Sequence, residues 1–219
     1  MRSNVKQNGY IVACFWLALL LPVISYASSS EEEVVTKIRK IYVRTSQLVE
    51  KNKTKVITLY SEAGKDGYDI KKWHLADDKQ NYEMGAYEVL VFILDRKIIK
   101  TRVVVQSLSG DWADVIEYYY YQNGEPAFIF EGTTTYNGYI IRNNEKVEPD
   151  GPFVLEKRSY FSEDGKRVRF LKKAYLKKTG ETVPVTQIQD IKLDEFGSVC
   201  SLPFISLIQD KVNECKKRE

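Results

Sequence analysis

Histidines, cysteines and closely spaced carboxylates do most of the chemistry in proteins, and this chain holds few such groupings. Its single histidine, His74, stands in Lys72-Trp73-His74-Leu75. A zinc site needs further nitrogen, sulfur or carboxylate ligands at set spacing, and none accompanies it. A serine hydrolase would need a Gly-x-Ser-x-Gly elbow to expose its nucleophile, which is also absent. His74 therefore reads as a surface or strand-edge residue. The tightest group of acids is Asp111, Asp114 and Glu117 beside Trp112. Glycan hydrolysis needs only two carboxyl groups at a fixed separation, so a glycan hydrolase centred on these three is one functional reading. On a strand Asp111 and Asp114 would face apart, whereas helical spacing would bring them together. No EF-hand loop, phosphate-binding glycine loop or nucleotide fingerprint appears, and no metal or cofactor is expected.

The cysteines say more. Cys14 lies in an apolar run from Tyr10 to Ile24, which follows Arg2 and Lys6 and ends at Ser25-Tyr26-Ala27. A basic start, a short apolar stretch and small residues at the cleavage positions describe a secretory signal peptide over residues 1–27. The run is shorter than the ~20 apolar residues of a lasting membrane anchor, and Cys14 sits too early in it to be a lipidated cysteine. Cys200 and Cys215 are an even pair in an oxidising compartment, which favours a structural disulfide. Residues 28–219 are then expected to form a single secreted or periplasmic domain, with no stable membrane anchor after cleavage.

Removing Arg2 and Lys6 lowers the formal net charge from +3 to +1. Lysines and acids alternate along the rest of the chain, without the clustered basic surface of a nucleic-acid binder. Nucleic acid is therefore not an expected partner.

The elements that must position any site follow from periodicity. After Glu31-Glu32-Glu33, apolar residues at Val34, Val35, Ile38, Ile41, Tyr42, Leu48 and Val49, with Thr45 in the same stripe, predict a helix over residues 31–51. Lys37, Arg39, Lys40, Arg44 and Lys51 fall on its other face and read as solvated. The period then changes to two. Strands are predicted over 56–60, 87–94, 98–106, 115–121, 127–131, 133–142, 153–161, 168–176 and 183–193, with Asn123-Gly124 and Asp164-Gly165 as hairpin turns. A short helix is expected after Pro203. The fold class is α+β: a long N-terminal helix packed on a curved antiparallel β-meander, with a short C-terminal helix.

Two segments repeat one another. Tyr119-Tyr120-Tyr121-Gln122-Asn123-Gly124-Glu125 and Tyr160-Phe161-Ser162-Glu163-Asp164-Gly165-Lys166 each pass from aromatics through a glycine turn into a hydrophobic strand. This pattern resembles the hairpins of uncharacterised exported bacterial proteins and is loosely similar to MORN-like repeat hairpins, which implies a β-hairpin surface and no inherited active site. Alternation puts Tyr118 and Tyr120 on one face and Tyr119 and Tyr121 on the other. One pair belongs to the core. The other, taken as Tyr119 and Tyr121 with Phe128 and Phe130 across the hairpin, is the expected exposed aromatic binding surface. The leading functional expectation is a non-enzymatic exported binding module that uses a sheet face for an envelope protein or small apolar ligand. A lipid or lipoprotein carrier of the half-barrel kind, with a cavity walled by Val91, Ile93, Tyr119 and Phe128, is the alternative beside the hydrolase.

Overall fold

The computed structural model describes residues 11–63, 70–76, 87–107, 109–188, 196–213 and 215. Helix α1 (Ile11–Glu50) leads into β1 (Lys55–Ala63), β2 (Ile70–Leu75), β3 (Tyr87–Leu94), β4 (Lys97–Gln106), β5 (Trp112–Tyr120) and β6 (Pro126–Thr135). A small separate hairpin, β7 (Ile140–Arg142) and β8 (Glu145–Val147), precedes β9 (Phe153–Phe161), β10 (Arg167–Leu176) and β11 (Thr182–Val183). One turn of helix, α2 (Ile205–Ile208), lies in the C-terminal segment. The fold is thus α+β, with a nine-stranded antiparallel sheet in the order β11-β10-β9-β6-β5-β4-β3-β1-β2. The sheet is open, and β2 and β11 form its two edges.

Turn chemistry explains the hairpins and corrects one expectation. At Asn123-Gly124 and Asp164-Gly165 only the glycines take positive φ, +83° and +80°, so these are longer bulged turns rather than tight two-residue ones. Their Asn and Asp side chains serve as local acceptors instead, as when Glu125 N–H donates to Asn123 Oδ1 at 3.1 Å. The tight turns with both positions at positive φ are Asp95-Arg96 and Asn143-Asn144.

Each face of the sheet has its own cover. On one face, Leu59, Val89, Val91, Val103, Ile116, Tyr118 and Tyr120 pack against Phe196, Val199, Leu202, Phe204, Ile208 and Val212 of the C-terminal segment. The disulfide Cys200–Cys215, with Cα atoms 5.2 Å apart, ties that segment together. Tyr118 Oη accepts a hydrogen bond from Phe196 N–H at 3.0 Å, and Val199 N–H donates to Gly124 O at 2.9 Å. The C-terminal segment is therefore a built-in filling of this face. Farther along the same face, Phe153, Leu155, Ala174 and Leu176 pack with Ile140, Val183 and Ile188. The opposite face carries α1, through Val35 and Ile38 on Tyr119, Tyr121, Phe128 and Tyr160.

Several predicted boundaries moved. The helix begins at Ile11, twenty residues before the predicted start, and continues through the stretch read as a signal peptide. The two predicted strands over 127–131 and 133–142 are one strand ending at Thr135, followed by β7. The predicted strand over 183–193 is cut short because Pro184 cannot donate to a ladder, and a 3₁₀ turn Val185–Gln187 follows. Residues 189–193 of that prediction lie outside the described residues. Phe204 caps α2 without a side-chain hydrogen bond, so the second helix is a single turn. Among the described residues no helix is long and apolar enough to cross a membrane.

Candidate functional site

Register across the sheet sorts the helix-side face into three rows. Phe92, Lys100, Tyr119, Phe128, Tyr160 and Arg169 form one, running across β3, β4, β5, β6, β9 and β10. The next is Leu90, Arg102, Glu117, Phe130, Arg158 and Leu171. The third is Glu88, Val104, Val115, Gly132, Glu156 and Lys173. Helix α1 lies over the first row, where Tyr42 meets the rings of Tyr119 and Phe128 at 5.0 and 5.7 Å. Its margin falls at the second row, and there a groove of about 420 Å³ opens. Phe128, Phe130 and Tyr160 floor it, Glu117, Glu156 and Arg158 rise from the strands, and Arg39 and Tyr42 form the helical bank. Gly132 contributes by what it lacks: a Cβ there would come within 3.1 Å of the Phe130 ring, so the bare backbone lets that ring lie along the strand.

The polar groups of the groove are already ordered. Lys100, only 7% exposed, donates to Glu117 Oε1 at 2.7 Å and to Tyr119 Oη at 2.9 Å, while Tyr119 donates to Glu117 Oε2 at 2.8 Å. The ammonium also sits 4.7 Å from the Tyr119 ring centroid. Burial, then the Glu117 charge and hydrogen bond, push the Tyr119 hydroxyl far above its ordinary range, so it remains a donor. Glu156 accepts from Tyr175 at 2.9 Å, Arg158 at 2.7 Å and Lys173 at 3.2 Å. Burial alone would raise its carboxyl, but those three partners outweigh it and hold the group below the ordinary carboxylate value. Glu156 is thus a fixed acceptor and not a proton donor. Helix α1 is anchored beside the groove by ion pairs: Arg169 reaches Glu31 at 2.7 Å and Glu32 at 2.8 Å, and Lys37 pairs with Glu163.

The predicted aromatic surface is only partly a surface. Tyr119 at 1%, Tyr121 at 6% and Phe128 at 7% exposure are buried beneath α1, and Tyr121 donates to Phe161 O at 2.7 Å. Phe130 alone of the four keeps part of its ring open, because α1 stops short of its row. Both tyrosine pairs therefore belong to packed clusters, one on each face. Lys37 and Arg39, read as a solvated helix face, instead bend toward the sheet and groove.

The carboxylate triplet does not converge. Asp114 lies on the face packed by the C-terminal segment, Glu117 on the helix side, and Asp111 is in the β4–β5 turn, accepting from Ser107 and Ser109. The expected carrier cavity is likewise divided: Val91 and Ile93 belong to one face and Tyr119 and Phe128 to the other. His74 lies on β2, opposite Tyr60 of β1, and no group of three metal-ligating side chains occurs among the described residues. Sequence reasoning missed Glu156, Arg158, Arg39 and Tyr42, although Tyr160 stood in the second tyrosine hairpin. Elsewhere, a shallow hollow of about 500 Å³ is bordered by Lys53, Lys55, Arg96 and Lys211 with Asp95 and Asp210, and lacks an aromatic floor.

No protein-family model, curated protein or solved structure matches this chain.

Proposed function

We propose that this is an exported binding module whose ligand lies in the groove between α1 and the sheet. The observation that carries the reading is Phe130, a partly open aromatic ring flanked in register by Glu117 and Arg158. An apolar floor with a few fixed polar groups is the composition of small-ligand sites. Here the charges are held by Lys100, Tyr119, Tyr175 and Lys173 before any ligand arrives, which lowers the ordering cost of binding. The apolar run at residues 10–24 and the Cys200–Cys215 disulfide support an oxidising, exported setting.

The test is a thermal-shift screen of small ligands against the purified protein and its Phe130→Arg variant. A ligand that raises the melting temperature of the parent is expected to leave the variant unmoved, since the new guanidinium fills the groove. An equal shift in both proteins would remove the groove from the account.

A further inference from the structure

Resting on the groove as the ligand site, we propose that its ligand is a neutral saccharide, stacked by the face of one sugar ring on Phe130 and held by its hydroxyls on the two carboxylates and two guanidiniums. Three features of the groove select this chemistry. The first is its charge balance. Glu117 and Glu156 are matched by Arg39 and Arg158, and each carboxylate is also tied to a lysine. A charged ligand would meet one favourable and one unfavourable pair, whereas a neutral one meets none of that repulsion.

The second is the kind of hydrogen bonding on offer. Each carboxylate has about four lone-pair sites. Lys100 and Tyr119 occupy one oxygen each of Glu117, and Tyr175, Arg158 and Lys173 share those of Glu156. Arg158 carries five N–H donors in a fork and uses one on Glu156. Acceptors and forked donors around one ring match adjacent hydroxyls, which both donate and accept. An alkyl chain would satisfy none of these groups and would bury them dry, at a cost of several kcal/mol.

The third is shape. Phe130 lies along the strand because Gly132 has no Cβ to lift it, leaving a flat apolar face in an open trough rather than a closed tunnel. The C–H face of a pyranose suits such a ring.

Isothermal titration and aromatic NMR shifts would test this on the full protein with chitobiose, cellobiose and laurate as probes. At least one of the two saccharides is expected to move the Phe130 and Tyr160 signals, and Phe130→Leu, with an unchanged melting temperature, to weaken it roughly tenfold. Glu156→Gln should weaken it as well while leaving laurate unaffected. Binding of laurate alone, at the same rings, would overturn the saccharide and keep the groove. Absence of binding by all three probes would overturn the saccharide and count against the groove too.

Discussion

Asp114 offers a sharp energetic test of the fold. Its side chain is fully buried on the face packed by the C-terminal segment. Thr133 donates to Oδ1 at 3.2 Å, while Oδ2 has no hydrogen-bond partner. Burial, and next the charge of Glu131, raise its carboxyl from the ordinary 3.8 to about 6, against smaller opposing effects of Thr133 and Lys157. At 1.36 kcal/mol for each factor of ten in the ionisation constant, that gap is about 3 kcal/mol. The direction follows from proton counting. Between pH 4 and 6 the folded chain holds a proton that the unfolded chain has released, so stability falls as pH rises through that window. Above it both states are ionised and the cost of the buried charge is fully present. Asp114→Asn removes the titration and keeps the acceptor for Thr133. Urea denaturation from pH 4 to 8 should therefore show the parent losing about 3 kcal/mol relative to the variant as pH rises, with the difference constant above pH 7. Carboxylates held below their ordinary values, such as Glu156 and Glu32, change both proteins in the opposite sense and cancel in the difference. Parallel stability curves would refute the reasoning about Asp114.

Two further outcomes follow from the same physics. Replacing Cys200 and Cys215 by serine opens a 15-residue loop and should lower stability by about 3 kcal/mol, read as a lower urea midpoint that reducing agent reproduces in the parent but not in the variant. Glu117→Ala strands the buried Lys100 ammonium and should cost about 3–5 kcal/mol; adding Lys100→Met should recover most of it, a coupling that a double-mutant cycle measures directly.

Local pattern carried far into this fold. The alternation in Tyr87–Leu94 and Phe153–Phe161 set the limits of β3 and β9 as observed, and the apolar stripe of Val35, Ile38 and Thr45 is the face that α1 buries. The disulfide pair was readable from compartment and count. Less visible was which element would cover which face. Parity shows that Tyr119 and Tyr121 share a side, but not that α1 would settle on it and leave Phe130 at the margin. The groove eluded sequence reading for a related reason. Its central row joins Glu117, Phe130 and Arg158 from three strands, and β9 reaches β6 only after the β7–β8 excursion, so no local spacing ties them. Asp111, Asp114 and Glu117 show the converse: neighbours in sequence that a two-residue period sends to different places.

Aromatic NMR of protein labelled at phenylalanine and tyrosine tests the groove most directly, because rings on the two faces serve as each other's controls. On titration with ligand, Phe130 and Tyr160 are expected to shift together while Phe196 and Phe204, enclosed under the C-terminal segment, stay in place. Shifts confined to Phe196 and Phe204, with Phe130 unmoved, would contradict the account.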